Sequence, residues 1–494
     1  MLLRVLAAAA IGACTAWTAP AGANGRFPQS NQLIFSPVDS QLIVVRATFG
    51  LLVSRDGGST WKWLCEGAVG YGDGGASEDP SLALTQGGAL AAGTREGLSI
   101  SPDTGCNWAF AGGALDKQAV VDIALRPYAP HALIALTSSY VSTTDAGQTY
   151  RSQLFESLDD GAHWAPKGSP LREDFFPTSV EVAATDPSRL YVSGAHGRGP
   201  MRTGSLLVSI DDGASWTDRP VPLDPLRENA VFIAAVDPRN ADVVYTRSDS
   251  QSRLMVTDNA GGSFQVASWC TTPTSCMPSL TGLMLGFALA SDNSKIYAGS
   301  VEDGLFVATR PGLAFTLQSN MSIQCLAARG TELWACSDET TSGFTVGVSA
   351  NDGAAFMPKL HLASIDGPLA CPTNAGATQC RPQYTALCQT LGCALLGTDG
   401  GSRGSMDGAA SGGSPMPDRT ARSSCGCSLL GAGPAKGGLV SVMIGLAAVR
   451  RRIRAKQRRT RGVSARRSTL RAHLRGPSSL KDARLCETEM CKPP

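Results

Sequence analysis

At 494 residues the chain is too long for one ordinary compact domain, unless that domain is a closed repeat architecture. Its 55 glycines, 6% aromatic and 17% charged residues favour many short strands and turns over helical bundles. The net charge of +2 conceals an asymmetry: from Arg450 onward 15 Lys/Arg face 3 Asp/Glu, which leaves about −11 for the body and argues against nucleic-acid binding by it.

The chain opens MLLRVLAAAAIGACTAWTAPAGAN. Arg4 forms a short positive region, Val5 to Trp17 an apolar one, and Ala21-Gly22-Ala23 an A-x-A site with cleavage expected between Ala23 and Asn24. Residues 1–23 are thus predicted to be a secretory signal peptide. A rival reading makes Ile11-Gly12-Ala13-Cys14 a lipobox with Cys14 lipidated. Export makes disulfides the default role of the ten body cysteines, Cys65, Cys106, Cys270, Cys276, Cys325, Cys336, Cys371, Cys380, Cys388 and Cys393. Three pairs are close enough to close small loops: Cys270/Cys276, Cys325/Cys336 and Cys388/Cys393. The connectivity stays open at this level, and no His stands at ligand spacing to support a zinc site.

A short motif recurs from residue 53 onward. "VSRDGGSTW" carries Ser54, Asp56, Gly58 and Trp61. "ISPDTGCNW" repeats it as Ser101, Asp103, Gly105 and Trp108, and "ESLDDGAHW" as Ser157, Asp159, Gly161 and Trp164. "VSIDDGASW" supplies Ser209, Asp211, Gly213 and Trp216. Three altered copies follow: Thr257, Asn259, Gly261 and Phe264; Arg310, Gly312 and Phe315; then Ser349, Asn351, Gly353 and Phe356. The acidic positions are 47, 56, 52, 48, 51 and 41 residues apart, the length of one four-stranded propeller blade. A near-copy at Asp145, Gly147 and Tyr150 breaks the period and is expected to be a long hairpin inside the third repeat. Each unit begins with two apolar runs split by an Asp-Pro or Asp-Asn turn, as in "VEVAATDPSRLYVSG", which is a hairpin signal. The expected fold is all-β, a seven-bladed β-propeller of four-stranded blades over residues 24–359; a β-solenoid is the alternative, although its repeats are usually shorter.

The motif resembles the Asp-box (BNR-type) repeat of sialidases, sortilin-like receptors and xyloglucanases. That resemblance implies a folding element between the third and fourth strands of a blade, away from any active site. The residues agree with it: Ser and Asp accept backbone N–H groups, Gly supplies a positive φ, and Trp restarts the strand. One carboxylate per turn is too few oxygens for a calcium cage, so no metal and no cofactor are expected.

Signals for catalysis are sparse. Arg26-Phe27-Pro28 only approximates the Arg-Ile-Pro element that sialidases place before the first Asp box. Tyr71 and Asp73 share the loop "VGYGDGG", without a neighbouring Glu. Asp79, Glu181, Glu228, Glu302 and Asp303 are the available loop carboxylates for a paired-carboxylate mechanism. His131, His163, His196 and His361 form no triad or metal set. No catalytic residue is assigned.

Residues 360–397 are Cys-rich and expected to close or cap the last blade through disulfides, and 398–424 read as a Gly/Ser-rich linker. Residues 425–454 combine Cys425-Gly426-Cys427, an apolar run Gly438 to Val449 that is short for a membrane span, and the cluster Arg450-Arg451-Arg452. This resembles the MYXO-CTERM sorting tail of exported myxobacterial proteins, and the resemblance implies surface attachment by sorting machinery through Cys425 or Cys427. Such tails normally end after the arginines; here the basic, aperiodic stretch 455–494 follows. The expected protein is exported and surface-attached, a binding or scaffold module for a glycan or protein, with a glycoside hydrolase on the same fold as the alternative.

Overall fold

The computed structural model describes residues 29–72, 79–144, 147–197, 201–250 and 252–393. The signal region, Cys14, Arg26-Phe27-Pro28, Asp73, Asp145, the linker, Cys425, Cys427 and the basic extension lie outside the described residues. The fold is an all-β, seven-bladed propeller, each blade built on four consecutive strands. The innermost strands are Ser30–Phe35, Ser81–Leu84, Val120–Leu125, Phe175–Val182, Val231–Val236, Met284–Leu289 and Cys325–Arg329. Successive strands within a blade pair antiparallel, so the first and third run the same way. The entry face is where the innermost strands begin; the turn from third to fourth strand closes the opposite, exit face.

Alternation decides what each strand buries. In Ile43–Ala47 and Gly50–Ser54 nearly every side chain is buried, because these middle strands are covered on both sides by neighbouring blades. Apolar clusters therefore lie between blades: Ala124, Ile134 and Leu154 of blade 3 pack with Val180 and Val192 of blade 4. Two blades depart from the plain meander. Blade 3 carries a long hairpin, Leu133–Thr144 with Gly147–Ser157, where the sequence breaks its period. Blade 6 gains the hairpin Ser268–Thr272/Ser275–Met277, closed by Cys270–Cys276 and joined in parallel to the outermost strand Ala314–Ser319.

The Cys-rich segment does not cap the seventh blade. Residues 366–369 run along the outer edge of Lys62–Leu64, where Trp63 N–H donates to Gly367 O (2.9 Å) and Leu369 N–H to Trp63 O (2.7 Å). Cys380 then bonds Cys65 in blade 1 and Cys371 bonds Cys106 at the end of blade 2. Blade 7 is built from four consecutive strands of residues 325–360, and this strap ties the following segment to blades 1 and 2 from outside. Cys325–Cys336 links two paired strands of blade 7. The short loop expected between Cys388 and Cys393 is not cross-linked. Cys388 is buried in the helix Arg381–Leu391, whereas Cys393 lies beyond the left-handed turn at Gly392 with its N–H on Cys388 O.

Candidate functional site

The repeated Ser-x-Asp turns are self-satisfying. Ser54 Oγ donates to Asp56 Oδ1 and accepts Gly58 N–H, both at 2.8 Å; Asp56 Oδ1 in turn accepts Ser59 and Thr60 N–H. Ser101/Asp103/Gly105, Ser157/Asp159/Gly161 and Ser209/Asp211/Gly213 repeat this geometry. So do the altered copies Thr257/Asn259/Gly261 and Ser349/Asn351/Gly353, because an amide oxygen accepts as a carboxylate does. Gly58 is required twice: its φ is +85°, and a Cβ there would lie 2.9 Å from Trp334 of blade 7. The copy at Arg310 differs. Its Arg310-Pro311 bond is cis, and the Arg310 guanidinium pairs with Asp237 of blade 5. Trp61 is fully buried with its Nε1 on Lys359 O; Trp108, Trp164 and Trp216 are half-buried. Although partly desolvated, Asp56 is held at about 2 by the Thr60 hydroxyl and N–H. His163 and Ser215 do the same for Asp159 and Asp211. All four acids of the unaltered turns are occupied by their own turns.

The channel side is built differently. The innermost strand of each blade has an edge without a strand partner, and its polar groups are met from the adjoining blade. Gln32 brackets Leu82 N–H and C=O at 3.2 Å. Asp122 Oδ2 accepts Val180 N–H at 3.0 Å, and Ser179 Oγ accepts Ile233 N–H at 2.8 Å. Ser252 Oγ takes Met284 N–H, and Gln324 Oε1 takes Ser30 N–H across the closing seam. The remaining two seams use backbone carbonyls, Thr94 O for Val120 and Ser300 O for Ile323.

Two carboxyl groups stand out in this setting. Burial pushes Asp122 up to about 6, against the N–H groups of Val180 and Ile123 and the Arg46 charge. Burial and the Asp122 charge push Glu181 up to about 8. Both residues are half-buried. Glu181 lies within the innermost strand Phe175–Val182 and not in a loop. A carboxylate in each of the apolar runs "VVDIAL" and "TSVEVA" is the sequence signal for the pair; Asp122 was missed because that signal does not say which side chains meet across two blades.

The other anticipated carboxylates scatter. Asp79 Oδ2 lies 3.5 Å from Asn31 Nδ2, and Arg46 Nη1 donates to Asp79 O and Pro80 O, so Asp79, Asn31 and Arg46 meet at the entry face between blades 1 and 2. Glu228 is spent on Arg253 and Asp224 N–H. Asp303 caps Thr281 and Gly282 N–H, and Glu302 is exposed. Tyr71 is buried rather than presented by a flexible loop. His131 and His163 pair with turn-region aspartates, while His196 joins Asp174 and Asp218. His361 lies 3.5 Å from Glu339. Among the described residues no His/Cys/Asp/Glu group could hold a metal ion.

Above blades 3 and 4 the entry face carries exposed aromatics. Tyr140 (58% exposed) meets Tyr150 edge-on at 6.4 Å, and Tyr150 meets Phe176 at 5.1 Å; Phe176, at 43% exposed, is the second residue of the innermost strand of blade 4. The long hairpin lifts Tyr140, Val141 and Tyr150 beyond the blade. Together they form a continuous apolar ledge beside the channel opening.

No family model and no curated protein matches the chain. Among solved structures it is similar to an ancestral GH74 enzyme at 15% identity (TM-score 0.44, over 66% of this chain and 46% of that one), Saccharomyces cerevisiae Sqt1 at 12% (0.43, over 67% and 86%), and the Myceliophteria thermophila Cps50 propeller domain at 10% (0.41, over 66% and 98%). The chain thus spans less than half of the GH74 enzyme.

Proposed function

We propose that the chain is an exported, surface-attached β-propeller that binds a glycan or protein ligand at its entry face, over blades 3 and 4. The Tyr140–Tyr150–Phe176 ledge carries this reading: the over-long hairpin brings Tyr140 and the half-buried Tyr150 against Phe176, and Tyr140 and Phe176 leave large ring surfaces exposed. The four disulfides suit an oxidising compartment, in agreement with a signal peptide at 1–23. The Ser-x-Asp turns fit an Asp-box propeller, and attachment is assigned to the tail through Cys425 or Cys427. A glycan and polysaccharide array scored for both retention and cleavage tests the assignment. Retention without cleavage is expected, and replacing Tyr140 and Tyr150 by Ala should lower affinity about tenfold or more with unchanged melting.

The second reading is a glycoside hydrolase. It is favoured by the Asp122/Glu181 pair, whose environments push the two carboxyls to different values. Asp122 is, however, already committed to two backbone N–H groups, which supports the binding reading. Release of reducing sugar that vanishes in Glu181→Gln would overturn the choice.

A further inference from the structure

Of the ten body cysteines, eight close the four disulfides, while Cys388 and Cys393 stay as thiols. The helix Arg381–Leu391 sets how these two meet. It is fixed at its start by Cys380, bonded to Cys65 of blade 1, and it ends on Gly392 in the left-handed region (φ +73°). Beyond that glycine the Cys393 N–H returns to Cys388 O at 3.0 Å, the six-to-one bond of a Schellman turn. Such a turn brings together the side chains of the two residues its bond links, a contact ordinarily made by apolar groups. Here both are thiols, and they share hydrogen bonds with each other and with Tyr384, one turn earlier on the helix. The Tyr384 hydroxyl also donates to Ile365 O and accepts Gly367 N–H of the strap along blade 1. Cys388 is buried and Cys393 half-buried, so a reagent in solution reaches the pair through Cys393.

We propose that Cys388 and Cys393 form a redox-active dithiol, oxidised to a disulfide by exchange with a small external disulfide. The Cys393 thiolate attacks one sulfur of that disulfide and expels a thiolate, which leaves a mixed disulfide on Cys393. The Cys388 thiolate then attacks the Cys393 sulfur and expels the second external thiolate. Two thiols of the chain are oxidised, one external disulfide is reduced to two thiols, and the two protons pass to the departing thiolates. A Cβ at Gly392 would meet nothing within 4 Å, so the turn has room to adjust as the bond forms. Burial pushes the Cys393 thiol up to about 11, with the bond to Cys388 adding to the rise and the one from Tyr384 opposing it. The first attack is therefore slow at neutral pH, whereas the second is intramolecular and fast. The pair keeps two electrons that only a disulfide approaching Cys393 can draw. This inference is independent of the entry-face reading, since the helix belongs to the strap at the outer edge of blade 1.

The test treats the full chain with oxidised glutathione, alkylates the remaining thiols and maps them by mass spectrometry, with thermal melting as a check on folding. Cys388 and Cys393 should lose their thiols together and carry no lasting glutathione. The rate should rise about tenfold per pH unit from about pH 7 to about pH 9. Cys388→Ala, which suits a buried site, should halt at the glutathione adduct on Cys393. Cys393→Ser should leave Cys388 at least about tenfold slower to react than the wild-type pair, because its sulfur is buried. Gly392→Ala, strained at positive φ, should slow the second step and let the adduct build up. Wild type that keeps both thiols, or that stops at the adduct, overturns the inference. So does a rate that ignores pH, or a Cys393→Ser variant that reacts as fast as wild type. If a variant melts well below wild type, the wild-type adduct and pH readings decide alone.

Discussion

The exit and entry faces of this propeller solve the same problem in opposite ways. On the exit face, each Ser-x-Asp turn meets its own polar groups within nine residues, and the arrangement recurs in six blades with Asp or Asn at its centre. Along the channel and at the entry face, polar groups depend on residues roughly fifty positions away, as Val180 depends on Asp122 and Ile233 on Ser179. A group that satisfies itself locally is spent on folding. Glu181, raised by burial and by the Asp122 charge, lies instead where distant segments converge, and there the molecule keeps chemistry in reserve.

The sharpest way to break this contrast is Asp122→Ala. It strands the Ile123 and Val180 N–H groups at the seam of blades 3 and 4, and should cost about 2–4 kcal/mol in urea unfolding. Asp122→Asn keeps an acceptor and should recover most of it. A loss under about 1 kcal/mol for the Ala variant would mean that the seam is not held by this side chain. Ser209→Ala comes next: it removes the acceptor of Gly213 N–H and the donor to Asp211, for about 1–2 kcal/mol. Ser157→Ala should cost the same, and the two should add, since each turn satisfies itself. Coupling between them would contradict that independence. Neither serine change should alter ligand binding.

This division also governs what could be read from the sequence. The blade count and strand order were legible because "SRDGGSTW" and its copies place every partner within one turn, so spacing alone recorded the period. The hairpin bearing Tyr140 and Tyr150 was legible as an interruption of that period. The Cys65–Cys380 and Cys106–Cys371 bonds were not, since separations of 315 and 265 residues leave no local trace. Pairing by proximity failed for Cys388 and Cys393, where the helix end sets their positions. Asp122 looks like an ordinary polar residue in an apolar run. Only the neighbouring blade shows that its carboxylate takes the Val180 N–H.

The two faces should also answer pH in opposite senses. Asp56, Asp159 and Asp211 are held at about 2, below the ordinary value of 3.8, by hydrogen bonds to their charged forms. Their contribution is fully present above 3.8 and lost as pH falls through 2. Glu181 lies at about 8 instead of 4.5, so the folded chain holds its proton more tightly than the unfolded one. Its contribution is complete below 4.5 and lost as pH rises through 8, with Asp122 adding a smaller decline that ends near 6. Wild type should therefore weaken as pH rises from about 4.5 to about 8, by the order of 1–3 kcal/mol once the partial exposure of Glu181 is allowed for. Glu181→Gln, neutral at every pH, should flatten that limb and leave the acid limb unchanged in urea titrations across the range. If the variant weakens as steeply as wild type, the Glu181 carboxyl is solvated like a surface group, and the channel holds less unspent chemistry than its burial implies.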